Sequence, residues 1–202
     1  TVTDCTVSGT VYGYDGHCGG VVGNASDCAI TNCEFNGMVT AAGKESQVTL
    51  GGIAGYYMSS AGYDYSFNEE LDYDSFVIQD CVNKGTISLD DKNPINSTAG
   101  GIVGSGDGNI LNCVNEGVVE ANDEDKMGSA SAGGIIGCIS GYNVSSCTNK
   151  GSVTCTGGNA GGIAGTAYVM DSRFQVRISD CVNEGMVSAP DYYYAGIVGN
   201  AY

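Results

Sequence analysis

Tryptophan is absent from this chain of 202 residues, proline occurs twice and histidine once, and only seven residues are basic. Each scarcity excludes something. Seven Lys and Arg against 23 Asp and Glu give a net charge of −16, which repels a phosphate backbone, and no basic stripe offsets it, so nucleic acid is excluded as a partner. With His17 alone, in YDGHCGG, neither a histidine-rich metal centre nor a Ser/His/Asp or Cys/His nucleophile has much to draw on. Asp15, His17 and Cys18 form a trio without a C-x-x-C partner, a weak metal signature. No apolar run approaches the roughly 18 residues that span a bilayer. The N-terminal TVTDC shows no signal-peptide pattern, and the chain reads as a mature or excised segment. Stretches with helical periodicity are missing too.

What is present is glycine, 33 residues of it, and ten cysteines, both in register with a repeat. A glycine half-motif recurs at Gly19 (GGVVG), Gly51 (GGIAG), Gly100 (GGIVG), Gly133 (GGIIG), Gly161 (GGIAG) and Ala195 (AGIVG). A cysteine half-motif, I-x-N-C-x-N-x-G-x-V in its fullest form, recurs around Cys5, Cys33, Cys81, Cys113, Cys147 and Cys181. These cysteines are spaced by 28, 48, 32, 34 and 34 residues, a period that signals stacked repeats. The 48 contains an insertion.

Within each copy the apolar residues alternate. The sixth residue after the cysteine is Val11, Val39, Ile87, Val119, Val153 or Val187, and its successor is mostly polar, the period of a strand. Three residues before the cysteine stands Val2, Ile30, Ile78, Ile110, Val144 or Ile178. One such coil cannot bury its apolar face alone, so the copies must stack. The expected fold is all-β, a parallel β-helix or β-solenoid of about six coils with about three short strands each and a Tyr-rich insertion. The six cysteines then form an interior ladder of reduced thiols, about 4.8 Å per rung. Cys18 and Cys155 fall at positions otherwise held by Ala, and Cys28 and Cys138 at turns, expected as free thiols with a bridge as the alternative. Asn83, Asn115, Asn149 and Asn183 should stack and hydrogen-bond along the axis, with Val7 and Phe35 in their place in the first two copies. The glycine four residues after each cysteine (Gly9, Gly37, Gly85, Gly117, Gly151, Gly185) suggests a corner of positive φ.

The pattern GG-[IV]-[VAI]-G followed by I-x-[DN]-C-x-x-x-G-x-V resembles the GLUG-motif repeats of bacterial secreted and cell-surface proteins, over nearly the whole chain. The resemblance implies an extracellular β-solenoid, often part of a longer adhesin-like or peptidase-associated chain, with no catalytic residues to carry over. The chain departs from that pattern in two insertions, at about 56–76 and 166–177 of a single domain over 1–202.

The insertions supply the candidate ligand-binding residues: Tyr57, Tyr63, Tyr65 and Tyr73 in the first, Tyr168 and Phe174 in the second. Long loops on a rigid scaffold commonly carry binding, and tyrosine is a favoured contact residue. The bland alternative is a local aromatic cap over a solenoid edge. Acidic turns bring Asp90 and Asp91 near Asp123 and Asp125, weak candidates for Ca²⁺, with solvated charge the plainer reading. No cofactor is implied. The expected function is a non-enzymatic, adhesin-like module at the cell surface that recognises protein or glycan. A structural stalk of a larger surface protein is the alternative, and a carbohydrate-active β-helix enzyme the third. Uncapped terminal coils suggest neighbouring domains or end-to-end self-association.

Overall fold

A residue in the left-handed region precedes every cysteine of the ladder: Asp4, Asn32, Asp80, Asn112, Ser146 and Asp180, with φ between 51° and 55°. Asn and Asp enter this region at least cost after glycine, which explains the [DN] of the motif. The twist turns the chain through a corner, so that Val77–Gln79 ends on one sheet and Val82–Asn83 begins on another. It also folds each thiol back onto the carbonyl two residues earlier: Cys81 Sγ donates to Gln79 O at 3.3 Å and Cys113 Sγ to Leu111 O at 3.2 Å. Beyond filling space, the cysteine therefore closes the corner that the left-handed residue opens.

The computed structural model describes residues 1–42, 47–59, 76–91, 96–123, 130–169 and 175–202, and among these there is no helix. Every strand pairing is parallel, and equivalent residues of successive copies sit opposite one another. Val11, Val39, Ile87, Val119, Val153 and Val187 form one unbroken row. Val2, Ile30, Ile78, Ile110, Val144 and Ile178 form another. The result is the expected parallel β-helix of six coils, its strands gathered into sheets of 11, 10 and 6. Because the left-handed corner breaks the chain once more per turn, a coil carries more than three strand segments. The fourth coil, for example, runs through Asn109–Leu111, Val114–Asn115, Val119–Asp123 and Ala130–Gly133 into Ile136–Ser145.

The interior is built from these rows. Ile53, Ile102, Ile135 and Ile163, the first apolar residue of the glycine half-motif, are fully buried, as are Cys81, Cys113 and Cys147. The asparagine ladder forms as expected. Asn83 Nδ2 donates to Asn115 Oδ1 at 2.7 Å, Asn115 to Asn149 at 2.8 Å and Asn149 to Asn183 at 2.8 Å. Each amide also donates to the carbonyl of the glycine two residues on. The ladder stops at Phe35, which lies opposite Asn83 and fills the same place with a ring.

The glycines of the cysteine half-motif serve a different need from the one the motif suggests. Only Gly9 has positive φ, at 117°, and the others have ordinary backbone angles. They are glycine because the coils touch there: a Cβ on Gly117 or Gly151 would lie 1.7 Å from the carbonyl oxygen of the glycine below. Outside, charges alternate along the same corner, with Lys84 on Glu34 at 2.7 Å and Lys150 on Glu116 at 3.2 Å. Such exposed pairs contribute little to stability.

The insertions are shorter than the repeat comparison suggests. Tyr56 and Tyr57 belong to the strand Ala54–Met58, and Thr166 and Ala167 to Ala164–Ala167. Residues 60–75 and 170–174 lie outside the described residues.

Candidate functional site

Two outward-facing rows meet at the turn made by each glycine half-motif. Before the motif come His17, Thr49, Thr98, Ser131 and Asn159, stacked in register. After it come Asn24, Tyr56, Ser105, Cys138, Thr166 and Asn200, likewise stacked. Between them the turn is tight enough that a Cβ on Gly165 would lie 2.4 Å from Ser131 Oγ. Glycine at this place lets the two rows approach, and residues whose side chains point outward are buried by each other.

The outcome is a groove of about 400 Å³ along the outside of the solenoid. Its floor is neutral and polar. Ser131 Oγ donates to Gly137 O at 2.9 Å and shares a hydrogen bond with Thr166 Oγ1 at 2.9 Å. Asn159 Nδ2 reaches the same Thr166 oxygen at 3.3 Å. Thr98 is different. It is 5% exposed and lines the groove, and among the described residues its hydroxyl has no hydrogen-bond partner. No Asp, Glu, Lys or Arg lines the groove among the described residues.

Aromatic rings bracket this floor. At one end Tyr168 stacks on Tyr202, centroids 6.0 Å apart and planes 16° from parallel, and Tyr202 is 78% exposed. At the other, His17 stacks on Tyr56 at 4.8 Å, while its Nδ1 meets Thr49 Oγ1 at 2.7 Å. Burial raises the Tyr56 and Tyr168 phenols above their ordinary values and lowers His17 below its own. Cys138 lines the groove from a strand and not from a turn as expected, and desolvation pushes its thiol up to about 12 against a hydrogen bond with Ser105 that lowers it. Cys28 does sit outside any strand, and both thiols are free.

Of the candidate ligand-binding residues that are described, Tyr168 lines this groove and Tyr57 does not. Tyr57 is a correction. It is 1% exposed and belongs to the core, because its strand position faces inward and the neighbouring Gly108 leaves room for the ring. Tyr63, Tyr65, Tyr73, Phe174 and Asp125 lie outside the described residues. Asp90, Asp91 and Asp123 lie on strands, with Asp91 opposite Asp123 across adjacent coils. The trio of Asp15, His17 and Cys18 does not converge. His17 faces the groove while Cys18, its strand neighbour, packs against the core. Among the described residues no group of three or more His, Cys, Asp or Glu is placed to hold a metal ion.

The groove residues Thr98, Ser131, Asn159 and Thr166 were missed in the sequence, although a signal exists. The second residue before each glycine pair is His, Thr, Thr, Ser, Asn or Tyr, and the residue after each motif is Asn, Tyr, Ser, Cys, Thr or Asn. Every one can hydrogen-bond, but no identity repeats throughout. Comparison of the chain with protein-family models and with curated proteins finds no match.

Proposed function

We propose that this chain is a non-enzymatic, adhesin-like binding module of an extracellular or cell-surface protein, of the GLUG-repeat type, and that the outer groove is its recognition surface. The observation that carries the reading is the Thr98 hydroxyl, buried in the groove with no partner among the described residues. An unsatisfied buried hydroxyl costs the free protein about 1 to 3 kcal/mol, so its retention fits a ligand that supplies the missing hydrogen bond. The absence of carboxylates and cations from the described lining fits binding better than hydrolysis or elimination, which need paired carboxylates or a catalytic cation.

A stalk or spacer role has its own support in the asparagine and cysteine ladders, which tie successive coils along the axis through Asn115 to Asn149 and Cys147 to Ile110 O. The two readings separate on one experiment: an array of glycans and extracellular proteins probed with the wild type and with a Thr98→Val, Ser131→Ala double variant. A groove-dependent signal supports recognition. Equal signals from both proteins, or none from either, favour the stalk.

A further inference from the structure

We infer that the groove takes an uncharged glycan chain lying along the solenoid axis. The inference rests on the groove being the recognition surface and goes on to name its ligand class.

Thr98, Ser105, Ser131, Asn159 and Thr166 give the groove a neutral lining of hydroxyls and an amide. Ser131 and Thr166, their protons already donated, offer acceptor lone pairs, and Thr98 offers both donor and acceptor. Among the described residues the lining offers a carboxylated or sulfated polymer no cation, and such a polymer would face a chain of net charge −16. A basic peptide would equally meet no carboxylate among the described lining residues. Nor does the groove offer a strand edge. Thr98–Gly100 and Ala130–Gly133 are paired on both sides, as are Val103–Asp107 and Ile136–Ser145, so an extended peptide has no unpaired main-chain groups to add to.

A polyhydroxylated chain meets what remains. The hydroxyl and amide rows repeat at about 4.8 Å per coil, so successive rungs present the same kind of partner to successive units of a linear polymer. The Tyr168–Tyr202 pair gives one end an apolar platform suited to the C–H face of a pyranose. At the opposite end the same two rows continue into His17 and Tyr56. The polar rows run along the stacking direction with the Tyr168–Tyr202 pair beside them, which sets the ligand's orientation.

Cys138 gives the test a second readout, because it is a free thiol in the groove wall. Its labelling, slow for so weakly acidic a thiol, is run at alkaline pH and followed by mass spectrometry of its own peptide, apart from the other nine cysteines. The folded chain would be run in native gels containing galactomannan, xyloglucan or mixed-linkage β-glucan, and in gels containing polygalacturonate. In parallel, maleimide labelling of Cys138 would be timed with and without oligosaccharides of whichever neutral polymer retards it. The expected result is retardation by at least one neutral polymer, weakened about tenfold or more in Thr98→Val, with slower Cys138 labelling in the presence of ligand. Val keeps the shape of Thr98, and a melting curve shared with or above the wild type shows that the variant is folded. Groove-dependent retardation by polygalacturonate alone, or groove-dependent capture of a protein in the array, overturns the neutral-glycan inference and leaves the recognition surface standing. Retardation that Thr98→Val does not change, with Cys138 still open to maleimide, overturns both. No retardation by any neutral polymer overturns the inference.

Discussion

At the residue scale, the sharpest determinant of this fold is the left-handed residue that precedes each ladder cysteine. Five of the six are Asp or Asn, and Ser146 is the exception at φ 54°. Replacing Ser146 with Asn should raise stability by about 0.5 to 1 kcal/mol, since Asn tolerates this region better than Ser. Urea denaturation measures it, and a loss of stability would contradict the role given to the corner. These residues were visible in the sequence but their conformation was not, because a two-residue period passes over one twisted residue between strands. The only histidine allows a second test. Burial against Tyr56 lowers the His17 pKa, so the folded state binds its proton less readily than the unfolded chain, whose value is about 6.5. Stability should therefore fall as pH drops below about 6.5 and level off below the folded value. The net charge of −16 pulls the other way, but at physiological salt it is screened beyond about 8 Å. An NMR titration of His17 giving a value above 6.5 would show that the charge wins.

At the element scale, glycine in this solenoid is a matter of contact between coils more than of turn conformation, and this divides the equivalent copies. A Cβ on Gly134 would lie 2.1 Å from Gly162 O and 2.3 Å from Asn149 Cγ, whereas one on Gly196, the same motif position in the last coil, meets nothing within 4 Å. Gly134→Ala should cost more than about 3 kcal/mol and Gly196→Ala less than about 0.5 kcal/mol. Equal melting temperatures for the two would refute the stacking explanation. The interior rows were legible because burial selects the same residue type in every copy, as with Val39, Ile87, Val119 and Val153. Tyr57 was not legible as core, since the room for its ring comes from Gly108 on the following coil and not from its own repeat.

At the scale of the whole molecule, the stack has an interior buried through its middle coils and a polar groove on its outside. The interior predicts thiol behaviour. Cys33, Cys81, Cys113 and Cys147 are buried, and desolvation holds the Cys113 thiol well above its ordinary value. Ellman titration of the native protein should leave at least these four unreacted until denaturant is added. Rapid reaction of all ten thiols in the native state would sink the ladder. The exterior groove escaped the sequence because its residues share hydrogen-bonding capacity and not identity, and because their burial depends on how closely two rows approach across a glycine turn. The most direct test of the account is the stability of Thr98→Val in the absence of any ligand. If the Thr98 hydroxyl is buried and unpaired until a ligand arrives, the valine variant should be more stable than the wild type by about 1 kcal/mol. A variant less stable by that amount would mean that the hydroxyl already has its partner, and the groove would lose its claim to be a binding site.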